Sequence, residues 1–553
     1  MLRAGPAAPG QQLLAPAILF LASAAFVIWR NSQVAVLVDI AYPLNTATRI
    51  AFGEVPYAQF PLVLPPLEFL AQAALIKAFG PHYVVEIAYA AIVGGFATAV
   101  TYWIVQRLLR GHGTWPLLPA VLTLPLIPLG IYAIYPHPFY DPDTCLVILA
   151  GIALVLAARE WRNPTGWFFS GALLAVPIFV KQTFGGVFLV LMVLALAADA
   201  WANPSNRRAL RWLSAGLVVV LAFEIVVLQI VAGIDNYLRW TWTFALTGRG
   251  VSLERLQDYV QPVVLWPAVV LLLVTAIARV VLPRFRGVVF AAGLFVVLGM
   301  SLLPGLVPTP PALFPPLLLG AVFFAIASFR SDGLAFESLL PVVIAGTVVA
   351  ATMSQGLYGS TYGIFPLLVI AVASLVRDLG RFIERPARLA PLTGVVIVVL
   401  LLGAGFGYTL NNSRLQFVNV NASGPVTQSA FPSLVGLSAR GPYIRELDAM
   451  LSWVRDNIPA DDPLVFLPGE DPAYFALYRR PALPSVYFYE LANPYSPAEL
   501  GKFADDAHLR WVIVKDRLQL VEEPPLETAL VEEMTRNATL VTRVGPYRVY
   551  RRG

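Results

Sequence analysis

The chain has 553 residues, of which 58% are hydrophobic and only 13% charged, with a formal net charge of +5 and a mean hydropathy of +0.71. Soluble domains carry about 25% charged residues. The composition therefore excludes a soluble globular protein and predicts that lipid surrounds most of the chain. A single cysteine, Cys145, excludes an internal disulfide framework and a zinc–thiolate cluster.

Apolar runs of spanning length recur along the chain and predict about thirteen transmembrane helices within residues 1–410. The first run follows Arg3 and is predicted to be an uncleaved signal anchor, because it continues past the cleavage-like sequence Ala22-Ser23-Ala24. The runs begin near Leu13, Tyr83, Trp115, Thr144, Thr165, Thr183, Arg211, Gln261, Gly287, Pro311, Ser338, Thr361 and Pro391.

The positions of the basic residues predict the orientation, since connections rich in Lys and Arg face the cytoplasm. Basic connections alternate along the chain with connections that contain far fewer basic residues. We therefore expect a bacterial inner-membrane protein with a cytoplasmic N-terminus and a periplasmic C-terminal segment. The same arginines account for the positive net charge, so no nucleic-acid partner is expected. The basic connections are Arg107–Arg110, Arg159–Arg162, Arg207–Arg211, Arg279–Arg286, Arg330 and Arg377–Arg388.

The first outer loop, residues 31–82, is unusually long. Its apolar segment Leu67–Phe79 carries Glu68, Gln72 and Lys77 and is too short to cross the hydrocarbon core. Reading it as a span would also place every later arginine cluster outside. We therefore predict a helix lying at the outer membrane face, with a second one around Leu44–Phe52.

Residues 411–553 change in character and predict a small extracytoplasmic α/β domain. Pro442–Ile458 has apolar residues on one helical face, and Pro463–Leu467 and Trp511–Val514 are typical of buried strands. Ser496 with Glu499 predicts a capping box ahead of a helix. Thr539–Val544 and the segment after Gly545-Pro546 predict a closing hairpin.

Polar residues cluster at the predicted outer face. Asp39 begins the long loop, Asp141 and Asp143 follow His137 and Tyr140 in the next outer connection, and the bases come later in the chain. A carboxylate there could take a proton from an incoming hydroxyl as a general base. Basic side chains could balance the charge on a departing phosphate. The bases are Lys181, beside Gln182, and Arg239 and Arg249.

Each of these residues also has a structural interpretation. Asp39 could be a solvated loop residue, and Asp143 could be the N-cap of a helix. Lys181 could extend its ammonium group to the lipid headgroups. Glu86, inside a predicted span, could be a satisfied packing residue.

The outer loop resembles a known enzyme family. Asp39, then Gly53-Glu54-Val55-Pro56-Tyr57-Ala58-Gln59-Phe60 and Pro65-Pro66-Leu67, are similar to the first outer loop of the GT-C membrane glycosyltransferases. The nearest branch includes the lipid A aminoarabinose transferase, protein O-mannosyltransferases and rhizobial lipopolysaccharide glycosyltransferases. Tyr140–Asp143 resembles their second acidic loop, and Gly171–Lys181 resembles one of their helices.

The resemblance implies transfer of a sugar from a polyprenyl-phosphate donor to a glycan, lipid or protein hydroxyl on the outer face. It gives Asp39 the place of the catalytic base and lets Asp141 and Asp143 position hydroxyl groups. It assigns Lys181 to the donor phosphate, where we also expect Gln182, Arg239 and Arg249 to bind. Tyr57, Gln59, His137 and Tyr140 would contact substrate.

The sequence departs from this family at several points. Ile40 follows Asp39 where the family often has a second acid, and Gln59 stands where an aspartate is usual. Fewer carboxylates make a divalent metal less favoured, and no cofactor is expected to be required. A ligase-like polymer transferase and a polytopic lipid or sugar transporter remain alternative functions. A transporter should show internal repeats and midplane charges, whereas this sequence shows no internal repeat and its candidate site charges lie at one membrane face.

Overall fold

A computed structural model of the chain describes residues 9–111, 115–248, 314–355, 363–382, 389–410, 424–489, 492–519 and 528–553, with scattered positions between 269 and 293. The described helices of the first 410 residues are α1 (Pro9–Asn31), α2 (Leu37–Ala51), α3 (Leu67–Phe79), α4 (Tyr83–Leu109), α5 (Leu118–Thr123), α6 (Leu126–Leu129), α7 (Tyr140–Trp161), α8 (Pro164–Ala175), α9 (Gln182–Ala202), α10 (Arg207–Val231), α11 (Ile234–Leu238), α12 (Ala245–Gly248), α13 (Phe314–Asp332), α14 (Phe336–Gln355), α15 (Phe365–Phe382) and α16 (Leu389–Leu410).

Seven of the described helices are long and apolar enough to cross a membrane: α1, α4, α7, α9, α10, α14 and α16. Shorter apolar helices occupy Leu118–Leu129, Pro164–Phe179 and Pro316–Ile326. The chain is therefore a multi-pass membrane protein. The predicted spans near Gln261 and Gly287 lie outside the described residues, so the count of thirteen stays a prediction.

Both helices predicted in the first outer loop are present. α3 has the predicted bounds, beginning after Pro66 and ending at Gly80, whose positive φ of 80° terminates the helix. α2 is longer than predicted and starts at Leu37, so that Asp39 lies in its first turn.

Glycines allow α8 and α10 to pack at very close range. A Cβ on Gly171 would lie 1.8 Å from the carbonyl oxygen of Leu213, and one on Gly216 would lie 1.9 Å from that of Phe168. Only glycine fits where two helix backbones approach so closely. This crossing fixes α8, and with it the segment that leads to Lys181.

The predicted cytoplasmic connections meet at one end of the bundle. Arg110 pairs with Glu160 at 3.2 Å, Arg159 pairs with Glu337 at 3.1 Å, and Arg377 donates to the Glu337 carbonyl at 3.1 Å. The C-terminal segment packs instead near the start of α4, where Gly436 lies against Ile87. The two sets of connections therefore lie at opposite ends of the helices, as the alternation predicts.

The C-terminal segment forms the predicted α/β unit. Its sheet has the strand order β3-β4-β6-β5, with β3 parallel to β4 and the other pairs antiparallel. Ser496 and Glu499 form the predicted capping box. The elements are β1 (Val426–Gln428), β2 (Ser438–Arg440), α17 (Tyr443–Asn457), β3 (Leu464–Leu467), α18 (Ala473–Leu477), α19 (Pro497–Asp506), β4 (Trp511–Lys515), α20 (Thr528–Met534), β5 (Ala538–Val544) and β6 (Tyr547–Arg552).

The sheet has apolar packing on both faces. Val465 and Val512 share one core with Leu500 and Met534 from α19 and α20. The alternate strand residues, such as Ile513, join a larger core that includes α17 and continues into the helical bundle. The C-terminal unit is thus packed directly onto the helices.

Candidate functional site

Two aspartates lie in the first turn of α7, at the end of the bundle away from the arginine clusters. The helix begins at Tyr140 after an extended Phe139, so both carboxylates face the positive end of the helix dipole. The side chains of Asp141 and Asp143 are almost fully buried. Burial of two acids in one turn requires compensating partners.

Asp141 is compensated by Lys181. The chain leaves α8 through a 3₁₀ turn at Val176–Phe179, becomes extended at Lys181, and re-enters a helix at Gln182. The Lys181 ammonium group forms an ion pair with Asp141 Oδ1, and the two side chains are only 6% and 2% exposed. Lys181 therefore does not reach the headgroups.

The same ammonium group lies 4.8 Å from the centroid of the Tyr140 ring. Tyr140 itself packs against Phe139 with ring centroids 4.0 Å apart. A cation over an aromatic face is held in place by the ring quadrupole. The structure thus brings Asp141, Lys181 and Tyr140 together.

Asp143 is compensated by two tyrosines. Tyr132 donates to Oδ1 at 2.6 Å and Tyr89 donates to Oδ2 at 2.7 Å. Its backbone N–H donates to the Phe139 carbonyl within the first turn. Asp143 is therefore not the N-cap of α7, and sequence reasoning missed both tyrosines because nothing in their spacing marks them.

This arrangement does not fit a divalent cation. One oxygen of Asp141 is occupied by an ammonium group and both oxygens of Asp143 accept phenol hydrogen bonds. Within the part of the chain that the structure describes, no group of three His, Cys, Asp or Glu residues is arranged to hold a metal.

Gln182 and Tyr57 link the long outer loop to the segment after α10. Gln182 Nε2 donates to the carbonyl oxygens of Thr241 at 2.9 Å and Val63 at 3.3 Å. The Tyr57 ring meets Tyr237 edge-on at 5.2 Å. The Tyr57 hydroxyl donates to the Leu64 carbonyl. Both side chains are buried and hold the loop against its neighbours.

The other predicted binding residues differ in accessibility. Gln59 is exposed, and its side-chain oxygen accepts from the Val55 N–H at 2.6 Å. Arg239 is exposed, with its guanidinium 4.8 Å from the Trp240 ring centroid. His137 is buried against Tyr135, and burial lowers the pKa of His137 to about 3. Arg249 lies outside the described residues.

A polar face of α3 is buried, which the sequence analysis did not predict. Glu68 and Gln72, one turn apart, are 2% and 0% exposed, whereas Lys77 is exposed. Burial raises the pKa of Glu68 well above its usual range, and the nearby acids Asp143 and Glu86 raise it further. The four-residue spacing of Glu68 and Gln72, which places them on one helical face, could have predicted that they share an environment.

Asp39 is half-buried and is the third residue of α2. The C-terminal unit holds this helix along its length. Gln519 binds the backbone at Leu37, and Asn45 donates to the Asp471 carbonyl at 2.9 Å. At the far end, Arg49 donates to the Leu483 carbonyl at 2.9 Å. The candidate base therefore lies on a helix fixed by residues from the end of the chain.

No protein-family model matches the sequence, and no curated protein matches it significantly. Solved structures match it in fold. The oligosaccharyltransferase of Archaeoglobus fulgidus, crystallised with Zn and sulfate, aligns with 91% of this chain over 68% of its own length, at 12% identity and a TM-score of 0.50. ArnT from Cupriavidus metallidurans, bound to undecaprenyl phosphate, aligns with 99% of this chain and 98% of its own, at 13% identity and a TM-score of 0.45. The chain therefore shares the fold of the Archaeoglobus fulgidus enzyme, which agrees with the fold that the sequence resemblance predicts.

Proposed function

We propose that the protein is a membrane glycosyltransferase that moves a sugar from a polyprenyl-phosphate donor to an acceptor hydroxyl at the outer membrane face. The observation that carries the proposal is the buried pair of Lys181 and Asp141, set beside Asp143 at the mouth of a GT-C bundle. A buried ammonium group at a membrane face suits the phosphate of a lipid donor, whose chain would lie among the helices.

The proposed reaction is a single displacement. The acceptor oxygen attacks the anomeric carbon and forms the new glycosidic bond, while the bond from that carbon to the phosphate oxygen breaks. Asp39 takes the acceptor proton. The leaving group departs as polyprenyl phosphate, and attack opposite to it inverts the anomeric centre.

Lys181 would bind the phosphate as its negative charge develops. Asp141 orients the ammonium group in the free enzyme, and a donor phosphate would share it. Arg239, exposed next to Trp240, and Arg249 would supply further positive charge. Gln182 and Tyr57 support the loops around this position.

Asp143, fixed by two phenols, would accept a hydrogen bond from a sugar or acceptor hydroxyl through its remaining lone pairs. His137, Tyr140 and Gln59 would contact substrate. The acceptor is a glycan, a lipid or a protein, and none of these steps requires a metal.

The proposal is tested by extracting the purified protein and analysing its lipids by mass spectrometry. A copurified polyprenyl-phosphate sugar, consumed when acceptor glycolipid is added, is the expected result. The anomeric configuration of the product, determined by NMR, should be opposite to that of the donor. Movement of intact lipid-linked sugar across proteoliposomes without cleavage would instead favour a transporter.

A further inference from the structure

We infer that Gln519, near the end of the chain, is a positioning residue for Asp39, an inference that rests on the proposed role of Asp39 as the base. Gln519 is completely buried. Its side-chain amide forms hydrogen bonds with the backbone of Ala35 and Leu37, on either side of Val36, the residue that precedes α2. The C-terminal unit would in this way set the position of the reacting carboxylate without touching substrate.

The N-cap position of α2 is occupied by an apolar residue. This residue is Val36, whose side chain forms no capping hydrogen bond. The first N–H groups of a helix have no partner within the helix and need one from outside. Gln519 Oε1 accepts from the Leu37 N–H at 2.7 Å, across 482 residues of sequence.

The nitrogen of the same amide forms a second hydrogen bond to the backbone. Gln519 Nε2 donates to the Ala35 carbonyl at 2.9 Å. The two bonds hold residues 35 and 37 as a neighbouring strand would. Asp39 follows two residues later, as the third residue of the helix, so any shift of the helix start moves its carboxylate.

Gln519 is itself held by a buried charge network. Its backbone N–H donates to Glu470 Oε1 at 2.6 Å. The other oxygen of Glu470 lies 2.5 Å from the Lys515 ammonium group, which lies 2.8 Å from Asp471. Tyr547 donates to the second oxygen of Asp471 at 3.0 Å. All four of these side chains are buried, so the amide has a rigid support.

The same network holds α2 at a second point beyond Asp39. Asn45 donates to the Asp471 carbonyl and accepts from the Phe475 N–H at 3.2 Å. Asp39 therefore lies between two attachments to one rigid group. Misplacement of a reacting group by about 1 Å can cost on the order of 100-fold in rate.

The test replaces Gln519 by methionine in the full-length protein. Gln519→Met keeps nearly the same volume and removes both backbone hydrogen bonds. We expect kcat to fall about tenfold or more while KM for donor and acceptor stays within about twofold, because binding does not use this helix start. Amide hydrogen exchange of the 34–40 segment should accelerate. This measurement tests the two hydrogen bonds from Gln519 independently of activity.

Arg480→Ala is the matched control. Arg480 pairs at 2.8 Å with Glu54, just beyond the other end of α2, and Glu54 keeps its partner Arg49. This variant also removes a bond between the C-terminal unit and the loop, but it should leave kcat and exchange of the 34–40 segment unchanged.

Two results would overturn the inference: wild-type kcat and exchange in Gln519→Met, or an equal loss of kcat in Arg480→Ala. If Gln519→Met does not fold, Gln519→Asn, whose amide is too short to reach both backbone groups, should show the same split. Wild-type turnover in Asp39→Asn would overturn the proposed base and the inference with it. An inactive Asp39→Asn beside a fully active Gln519→Met would overturn the inference alone.

Discussion

Lys181 and Asp141, 40 residues apart in the chain, form an ion pair that is almost completely shielded from water. The pair joins the start of α7 to the start of α9. Removing one partner of a buried pair leaves an uncompensated charge and costs about 3–5 kcal/mol, whereas neutral replacement of both costs far less. The contribution of the pair to stability can therefore be separated from its role in function by comparing single and double variants.

Lys181→Met should lower the unfolding temperature and weaken donor binding. The double variant Lys181→Met with Asp141→Asn should recover most of the stability, because no buried charge remains unpaired. It should not recover donor binding, since the phosphate still lacks its cation. Thermal unfolding in detergent and binding of a polyprenyl-phosphate sugar measure the two effects. Recovery of both in the double variant would show that Lys181 has only a structural role.

Asp39→Asn should lower turnover by about two to four orders of magnitude, because an amide cannot accept the proton. Insertion and donor binding should be retained, since Lys181 holds the phosphate. Asp235→Asn is the control, an exposed acid of α11 that should have no effect. Near-normal turnover in Asp39→Asn would move the base to Asp141 or Asp143.

Much of the fold follows from local patterns in the sequence. Hydrophobic length predicted the seven described helices that could cross a membrane, the capping signals of Ser496 and Glu499 placed a helix, and strand-like runs predicted β3 and β4. The two helices of the first outer loop also follow from apolar length interrupted by prolines. These features depend on neighbours in sequence, which is why one sequence suffices to find them.

The partners inside the site could not be predicted in the same way. Tyr89 and Tyr132 reach Asp143 from different segments, and Gln519 reaches Leu37 across most of the chain. Such contacts depend on how helices pack, and tyrosine or glutamine carries no pattern that reveals a distant partner. The sequence identified the charged residues of the site but not what neutralises or holds them.

Tyr132→Phe should slow turnover by about tenfold, because a hydrogen bond to a charged group contributes about 1.5–3 kcal/mol. Asp143 would keep its bond from Tyr89, so the single variant should fold. The double variant with Tyr89→Phe should lose more than the product of the single effects, because Asp143 would then have neither phenol. Steady-state kinetics of the three variants measures this. Strictly multiplicative losses would indicate that the tyrosines act independently of Asp143.

Reporter fusions should divide the connections into two sets. Fusions at Gly111, Asn206 and Arg385 should report the cytoplasm, and fusions at Gln59, Gly248 and Gly469 should report the outside. The predicted cytoplasmic fusion sites lie in or beside the arginine clusters, and connections rich in arginine face the cytoplasm. An outside signal at Gly111 would make α3 a membrane span and invert the topology from that point.

Glu68→Gln should stabilise the protein at neutral pH but not at low pH. Burial and the nearby acids raise the pKa of Glu68 well above 4.5 in the folded chain, so the folded chain binds the carboxyl proton more tightly than the unfolded chain does. The unfolded chain releases that proton near pH 4.5. The stability that the carboxyl contributes below this pH is therefore lost as the pH rises from 4.5 through the pKa of the folded chain. A glutamine is neutral throughout and avoids this loss. We expect the unfolding temperature to rise at pH 7.5 and this gain to vanish near pH 4. Glu532→Gln, an exposed acid of α20, should change neither value, and a gain in Glu68→Gln that is the same at both pH values would contradict a raised pKa of Glu68.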